Sequence, residues 1–460
     1  MLKIAFIGGF DEVGKNCVAI NSNGTVVIID MGLDISKYIE ITEDNIPSKN
    51  ELINYGAVPN IEEYEKLNWP KPKLIFIAHG HLDHVGAIPH IITHFKNVKI
   101  MGTAFTIKIL EKIYLSERKV IENPIEIINS DCKYYVDENI TLVTQPIAHS
   151  ILDTTIVCIK TPDGNVVYAN DFKIDTKPVL GKPTDLKKIK KAFGEVKFLI
   201  TDSTGSVDDG KSMSEEMVKK MLDDLFSYID VKENLIVVTT FSSHIQRLST
   251  IVKKLKKEHR KVFLIGRSLE KYTSIAKELG YFNFDKYCEK VLYPRQIQKF
   301  FNKIKNNKID RKKIALIITG HQGEPNAILA KILSDRLPDI FQKDDVFIFS
   351  SRIIPVQMHI ENRAIIDQQL KDRKVRIFKD IHVSGHPAKE DLREFVNMMN
   401  PEFIVPAHCD KRLKDSAVEV YQNMGYKLNE NIIYVNNSNY LEYESKNNDK
   451  KEKFKLNKID

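Results

Sequence analysis

The sequence predicts an α/β fold, because short apolar runs typical of buried strands alternate along the chain with segments of helical periodicity. The runs at 74–77, 140–145 and 198–201 each lead into polar residues, as strands do at the ligand-binding edge of an α/β sheet. The length of 460 residues predicts about two to three domains rather than one core. We therefore expect more than one α/β unit in this chain.

Composition is that of an ordinary globular protein, with 42% hydrophobic and 28% charged residues. The net charge of +7 favours an anionic partner such as nucleic acid without requiring one. Five cysteines that form no CxxC pair indicate a reducing compartment. No signal-peptide pattern follows Met1, and no apolar run approaches the ~20 residues of a membrane-spanning helix. These features predict a cytoplasmic protein that does not cross a membrane.

The chain begins with a predicted strand at 2–7 and a hairpin whose strands, 17–21 and 25–29, flank Asn23-Gly24. Asp30 follows this hairpin. It is either a plain turn residue or a carboxylate that holds the histidine-rich loop at 78–86 by hydrogen bonds.

Two segments carry little periodic signal. Residues 34–72 are polar and mixed, which predicts a long loop with one short helix near 61–67. The charged tail from about Tyr443 is poor in apolar residues apart from Phe454 and Leu456. We expect this tail to be solvated or weakly docked.

The most informative stretch is Ala78–Gly86, in which three imidazoles and one carboxylate fall within six positions after a strand. His79 and His81 point the same way on extended chain, and Gly80 is expected to let the backbone bend between them. Asp83 and His84, one turn further on, can reach a second ion. Neutral imidazole and carboxylate suit zinc or a similar transition metal, so the spacing predicts two adjacent metal ions.

Two later strands deliver further candidates. His149 follows the predicted strand at 140–145 and is either a satisfied loop histidine or another metal ligand. A hairpin of strands at 156–160 and 165–169 leads to Asp171. A carboxylate has enough lone pairs to bridge two metal ions, so Asp171 can lie between them.

From about Ser206 the pattern is that of a second, doubly wound α/β unit. Its predicted strands end in turns rich in hydroxyls, such as Thr239–His244 and Gly266-Arg267-Ser268. These turns either bind phosphate at the carboxyl ends of the strands or are ordinary turn chemistry. Histidines that follow strands return at His386 and His408. The predicted domains are therefore 1–205, an insertion at 206–378, and 379–460, which completes the first domain.

Together these residues resemble the metallo-β-lactamase superfamily, through His-x-His-x-Asp-His at 79–84 with Asp30, His149 and Asp171. The insertion followed by His386 and His408 resembles its β-CASP branch, and six further motifs resemble ribonuclease J. These motifs are Gly14-Lys15-Asn16, Asp171-Phe172-Lys173, Asp202-Ser203-Thr204, Gly266-Arg267-Ser268, Gln322-Gly323-Glu324-Pro325 and His382-Val383-Ser384-Gly385-His386. The resemblance implies a metallo-β-lactamase αββα sandwich with an inserted β-CASP α/β domain, in the shorter archaeal-type form.

The sequence departs from that family in three places. The segment at 39–67 is longer and different, and Asn170 stands where glycine is usual. Ala407-His408-Cys409-Asp410 replaces the usual Val-His-Gly-Glu.

The resemblance also implies roles for individual residues. His79, His81 and His149 would bind one Zn²⁺ and Asp83, His84 and His408 the other, with Mn²⁺ as an alternative metal. Asp171 would bridge the ions, Asp83 and His386 would take part in catalysis, and Asp30 would support the metal ligands. The implied RNA contacts are His382, Val383, Ser384, Gly385, His386, Arg267 and Ser268.

The activity implied is a zinc-dependent exoribonuclease that hydrolyses single-stranded RNA from a 5′-monophosphate end, in RNA decay and maturation, with a homodimer expected. An endoribonuclease of the same branch, acting in RNA 3′-end processing, is the main alternative. A hydrolase of small esters is disfavoured by the large insertion, and a di-iron oxidoreductase by His81, where that class has Glu. A non-catalytic RNA-binding partner is disfavoured by the complete ligand set.

Overall fold

The structure is a computed structural model that describes residues 1–42, 46–354, 357–444 and 454–459. The strands in these ranges are β1 (Leu2–Gly8), β2 (Cys17–Ser22), β3 (Thr25–Ile29), β4 (Leu74–Ile77), β5 (Lys99–Thr103), β6 (Ile125–Ile128), β7 (Lys133–Tyr135), β8 (Thr141–Pro146), β9 (Thr155–Lys160), β10 (Val166–Ala169), β11 (Phe198–Asp202), β12 (Ile236–Thr239), β13 (Lys261–Ile265), β14 (Cys288–Val291), β15 (Ile314–Ile318), β16 (Val346–Phe349), β17 (Arg376–Phe378), β18 (Phe403–Ala407), β19 (Asn439–Tyr443) and β20 (Phe454–Lys458).

The α-helices in the same ranges are α1 (Ile35–Thr42), α2 (Lys49–Tyr55), α3 (Ile61–Lys66), α4 (Leu82–Val85), α5 (Ile88–Ile91), α6 (Ala104–Ser116), α7 (Leu186–Phe193), α8 (Glu216–Tyr228), α9 (Ile245–Lys257), α10 (Arg267–Glu278), α11 (Pro294–Lys305), α12 (Ile328–Leu333), α13 (Gln357–Asp372), α14 (Lys389–Met399) and α15 (Lys411–Gln422). Short 3₁₀ helices lie at Ile92–Phe95, Phe284–Lys286 and Arg311–Lys313. No helix within the described ranges is long and apolar enough to cross a membrane.

The chain divides into two compact units. The first unit comprises residues 1–176, 182–212 and 385–460, and the second comprises 177–181 and 213–384. The first unit contains two sheets, ordered β20-β19-β1-β2-β3-β4-β5-β6 and β18-β11-β10-β9-β8-β7, and the second contains one sheet, ordered β14-β13-β15-β12-β16-β17.

Alternation along the strands builds the sandwich of the first unit. In β10, Val166 and Tyr168 face the core shared by the two sheets, while Val167 and Ala169 face helices α7, α14 and α15 on the other side. Successive side chains of a strand point to opposite faces, so one strand contributes to two apolar layers. The same alternation places Phe198 between the sheets and Leu199 beneath the helices.

Parallel pairing brings several strand ends to the same edge. Strands β10, β11 and β18 are parallel neighbours, with Thr201 opposite both Ala169 and Pro406. In the other sheet, β3 is parallel to β4. The residues that follow these strands are therefore the ones placed for a common site.

All strand pairs of the second unit are parallel. Such a sheet with helices between its strands is the doubly wound arrangement expected from the sequence. The strand β14 at its edge was not predicted.

Two sequence-based expectations were wrong in part. The described residues of the segment 34–72 contain three helices, α1 to α3, rather than one. The capping box of Ser48 and Glu51 at the start of α2 is the signal that was missed. In the C-terminal tail, β20 pairs antiparallel with β19, and the ring of Phe454 packs against Phe403 at 5.4 Å. Residues 445–453 of that tail lie outside the described residues.

A buried ion pair joins several elements of the second unit. Arg247 is fully buried, donates from Nε and Nη2 to the carboxylate of Glu215, and donates to the carbonyls of Ser350 (2.9 Å) and Val383 (3.2 Å). Burial opposes ionisation of Glu215, but Arg247 and His244 hold its pKa well below the usual range. The pair links α9 to the loops after β16 and β17.

We predict that Glu215→Gln lowers the free energy of unfolding of the second unit by about 3–5 kcal/mol, because it leaves a buried guanidinium without its counter-charge. The depressed pKa means that the stabilisation is present above the unfolded pKa of about 4.3 and is lost as pH falls below it. Hydrogen-exchange protection of β12 and α9 at pH 7 measures the first effect, and urea unfolding of the wild-type protein from pH 7 to pH 2 measures the second.

Asp223→Asn is the matched control, since Asp223 forms a more exposed ion pair with Lys254 at 2.8 Å. Its expected cost is at most about 1 kcal/mol. Equal losses in the two variants would contradict the prediction.

Candidate metal centre

The histidine loop is positioned by a strand and a short helix. β4 ends at Ile77, and α4 begins directly after His81, whose backbone is extended (φ −73°, ψ 151°). His79 and His81 therefore lie on non-helical chain, while Asp83 and His84 lie in the helical turn. Because the backbone changes from extended to helical between these two pairs, the pairs can direct their side chains to two different positions.

Three groups of side chains have ligand atoms within 4.8 Å of one another, and Asp171 belongs to all of them; the third also contains Asp202 and His386. The first group consists of His79, His81, His149 and Asp171. The second group consists of Asp83, His84, Asp171 and His408. The structure thus brings together all seven residues predicted as metal ligands; their binding of metal stays a prediction.

Asp171 faces the two groups with different oxygens. Its Oδ2 lies 3.5 Å from Nε2 of His79 and 3.5 Å from Nε2 of His149. Its Oδ1 lies 3.2 Å from Nε2 of His84 and 3.5 Å from Nε2 of His408. This is the geometry of a carboxylate that can bridge two cations.

Asp30 orients the ligands from behind. Its Oδ1 accepts a hydrogen bond from the backbone N–H of Ala78 (2.8 Å), and its Oδ2 lies 2.6 Å from Nδ1 of His84. The phenol of Tyr168 also donates to Oδ2, at 2.9 Å. A proton on Nδ1 of His84 leaves the Nε2 lone pair directed at the centre, as carboxylates behind metal-ligating histidines generally arrange.

Three residues of this surrounding layer received no role from the sequence: Asn16, Tyr168 and Asn170. The side-chain amide of Asn16 lies 2.8 Å from Nδ1 of His408 and accepts from Asn170 at 3.0 Å. Asn170 also donates to the phenol of Tyr168 at 2.8 Å. Asn170 stands where glycine was expected and ties two supporting groups together. The sequence did offer a signal for these residues, since Asn16 and Asn170 adjoin buried strands and Tyr168 lies within one.

The backbone at three site residues adopts an uncommon conformation. Asp30, Asp171 and His408 have left-handed φ angles of 61°, 54° and 55°, and they follow β3, β10 and β18. Non-glycine residues in this region carry strain that the surrounding structure must overcome, and such residues concentrate at functional sites. The sharp turns aim each side chain across the strand ends.

Close packing leaves little space at two glycines of the site. A Cβ on Gly32 would lie 1.5 Å from the carbonyl oxygen of Asp83, so only glycine lets the loop after β3 pass the histidine loop. A Cβ on Gly80 would lie 2.5 Å from Cδ1 of Ile109, so a side chain there would require the end of the Ile109 side chain to move. Gly80 is not among the residues with positive φ, so its backbone conformation does not itself require glycine.

The chemistry of the donor set fits divalent metal ions. Both ring nitrogens of the buried His79 and Oδ1 of Asp171 lack a hydrogen-bond partner. Burial, the largest effect, lowers the pKa values of His79, His81 and His149 well below 6.5, so these imidazoles are neutral. Neutral imidazoles and buried unpartnered acceptors are what a transition-metal site requires.

The carboxylates set the charge of the second group. Burial opposes charge on Asp171, yet His408 and His84 hold its pKa well below the usual range. Burial also opposes a proton on His84, but Asp171, Asp30 and Asp83 raise its pKa well above 6.5. The carboxylates thus create a field that attracts positive charge to this point.

His386 lies beside the centre and has its own carboxylate partner. Its Nδ1 is 2.8 Å from Oδ2 of Asp202, and its ring is 5.1 Å from that of His149. Burial would lower its pKa, but Asp202, with Asp171 and Asp83, raises the pKa of His386 to about 9. Asp202 therefore favours the protonated form of His386. Sequence reasoning missed the role of Asp202 in holding this ring.

The other predicted RNA contacts are divided between the two units. Gly385 belongs to the first unit, where its carbonyl lies 2.7 Å from Nδ1 of His149. His382, Val383 and Ser384 belong to the second unit, as do the exposed Arg267 and Ser268 at the start of α10. Nδ1 of His382 accepts from Arg247 at 3.1 Å, and burial with Arg247 lowers the pKa of His382 to about 2.

Comparison with known families accounts for most of the chain. Residues 10–219 match the model described as "Metallo-beta-lactamase superfamily", residues 233–368 match "Ribonuclease J, beta-CASP domain", and residues 372–433 match "Zn-dependent metallo-hydrolase RNA specificity domain". These matches confirm the predicted fold class, a metallo-β-lactamase domain with an inserted β-CASP domain.

Whole-chain comparisons agree. The ribonuclease J of Pyrococcus abyssi is 37% identical over 446 residues, which cover 96% of this chain and 97% of that protein. The ribonuclease J of Methanocaldococcus jannaschii is 36% identical over 448 residues, covering 96% and 99%. A crystal structure of a protein of unknown function from Enterococcus faecalis V583 covers 90% of this chain and 95% of its own, with a TM-score of 0.63 at 15% identity, and supports the fold alone. The chain therefore belongs to the ribonuclease J family.

Proposed function

We propose that this protein is a metal-dependent ribonuclease that shortens single-stranded RNA from its 5′ end, with preference for a 5′-monophosphate. Family membership supports the ribonuclease activity, and the RNA-specificity match at 372–433 supports RNA as the substrate. The observation that carries the proposal is Asp171, which faces buried imidazoles with both of its oxygens. A role in RNA decay and maturation in the cytoplasm, as a homodimer, belongs to the same proposal.

We assign the ligands as follows: His79, His81 and His149 to one ion, Asp83, His84 and His408 to the other, and Asp171 to both. The nitrogen-rich donor set favours Zn²⁺, with Mn²⁺ as the alternative. Bound here, two divalent cations would make hydroxide available at neutral pH and offset the charge that develops on the phosphoryl group.

The chain's own residues complete the reaction. In hydrolysis, a water oxygen adds to phosphorus and the bond from phosphorus to the leaving 3′ oxygen breaks. His386, protonated by virtue of Asp202, donates its proton to that oxygen or stabilises the charge on the phosphoryl oxygens. Asp202 accepts from Nδ1 and thereby leaves Nε2 as the proton-donating atom of His386.

The RNA contacts remain those inferred from family resemblance: His382, Val383, Ser384 and Gly385, with Arg267 and Ser268 along the RNA path. A pocket that grips the terminal phosphate would select 5′-monophosphate ends. Since the ring of His382 accepts from Arg247, this ring positions the segment, while Ser384 supplies a hydroxyl.

The polarity of degradation is tested with linear and circular RNA of one sequence. We expect 5′-monophosphorylated linear RNA to yield mononucleotides, while the circle is cut at least about tenfold more slowly because it has no end to thread, a difference of about 1.4 kcal/mol. Gel analysis of 5′- and 3′-labelled RNA reads both outcomes. Equal cleavage of the circle, with internal fragments as products, would instead support the endoribonuclease.

The ligand assignment is tested by metal content. We expect two divalent ions per chain in the purified protein, and about one ion fewer in His81→Ala, which removes one ligand of the first group. Nuclease activity should be lost in this variant while RNA binding survives. His94→Ala is the control, because His94 pairs with Glu65 on the surface and belongs to neither group. Retained turnover in His81→Ala would defeat the assignment.

The role of His386 is tested by His386→Gln. We expect kcat to fall by about 10²- to 10⁴-fold, the usual range for a lost general acid, while the metal content stays at the wild-type level. Asp202→Asn should lower the pKa of His386 and move the alkaline limb of the pH–rate profile to lower pH, because the carboxylate raises that pKa. Wild-type kcat in His386→Gln would exclude it from the reaction.

A further inference from the structure

Helix α11 of the second unit has two faces of opposite character. Ile297, Phe301 and Ile304 are buried in the core of that unit. Arg295, Lys299 and Lys303, spaced four residues apart, are all exposed. In an α-helix this spacing aligns the three side chains in one row on the face opposite the core.

The row has no acidic partner. α11 contains no Asp or Glu, and among the described residues no ion pair involves Arg295, Lys299 or Lys303. Other lysines of the same unit are paired: Lys261 with Glu289 at 2.7 Å, and Lys277 with Asp285 at 2.6 Å. The row therefore carries three exposed cations that no carboxylate of the described residues neutralises.

Helix stability does not explain the row. Like charges four residues apart repel each other along a helix. Arg295 also lies in the first turn, where the helix dipole disfavours a cation. Only Lys303, in the last turn, is favoured by the dipole. A row of like charges that lowers the stability of the helix is explained if these side chains bind an anion.

The geometry suits an extended polyanion. Each step of four residues advances about 6 Å along the axis, so three cations can contact separate phosphates of one strand. The amides of Asn302 and Asn306 are exposed on the same outer face and can donate to phosphate or sugar oxygens. Tyr293, at the N-cap of the helix, is 57% exposed and offers a ring on which a base can stack.

We propose that the outer face of α11 binds the sugar-phosphate backbone of single-stranded RNA, as a site separate from the metal centre. The proposal rests on RNA being the substrate, and it adds a sequence-independent contact that raises affinity for long RNA without taking part in the chemistry. The cations supply affinity that depends on salt, and Tyr293 supplies stacking that does not.

The test compares two triple variants that remove the same charge. One replaces the row: Arg295→Gln, Lys299→Gln and Lys303→Gln. The control replaces three paired lysines of the same unit: Lys261→Gln, Lys277→Gln and Lys312→Gln, the last of which pairs with Glu233. Binding of unstructured single-stranded RNA is measured by fluorescence anisotropy in chelator, which prevents turnover, over a range of salt concentrations.

We expect the row variant to bind long RNA at least tenfold more weakly than the control, with a log K–log salt slope shallower by about 2, at about 0.7 per lost phosphate contact. Its thermal midpoint should not fall below that of the control, because like-charge repulsion is relieved. The kcat on a 5′-phosphorylated dinucleotide should be unchanged. Tyr293→Ala should weaken binding without changing the slope.

Equal affinities and slopes in the two triple variants would overturn the inference. Binding to vesicles of anionic lipid that depends on the row while RNA binding does not would also overturn it, in favour of a membrane surface. A protein without nuclease activity whose RNA binding still depends on the row would instead refute the proposed function alone, so the two failures are distinguishable.

Discussion

The candidate site depends on one carboxylate. Asp171 places Oδ2 among the imidazoles of one group and Oδ1 among those of the other, and it is buried. A buried carboxylate is stable only when positive charge or hydrogen-bond donors surround it. The neutral histidines of the first group offer lone pairs rather than protons to this point. The arrangement is therefore consistent with cations between Asp171 and the imidazole rings. Hydrogen bonds from surrounding residues such as Asp30 hold the ligand side chains in this orientation.

The strands of the first unit place the residues of the candidate site at one edge of a sheet. The parallel strands β10, β11 and β18 end side by side, and their last residues lead to Asp171, to Asp202 and to His408. Alternating apolar residues bury both faces of these strands, so the strand ends are rigid. Left-handed backbone conformations at Asp171 and His408 then turn these polar side chains away from the apolar core and towards the candidate site. Rigid strands with strained turns at their ends keep the site preorganised.

Much of the site could be predicted from the sequence because its strongest signal is local. The histidines at 79, 81 and 84 are close in sequence, and strand periodicity tells which of them share a face. Asn16 was not assigned a role because its contact with His408 spans 392 positions, and a single asparagine after a turn carries no periodic signal. Helices α1 and α2 were missed because their buried residues are few. The strand β20 was missed because its own sequence has few apolar residues. It forms by pairing antiparallel with β19, and this partner cannot be identified from the sequence of the tail alone.

The proposed site requires two metal ions, one on each side of Asp171. It is tested most directly by anomalous diffraction from crystals of the intact protein, collected on both sides of the zinc absorption edge. We expect two anomalous peaks, one within bonding distance of His79, His81 and His149 and the other within bonding distance of His84 and His408, with Asp171 in contact with both. A single peak, or a second peak that His408 does not contact, would contradict it.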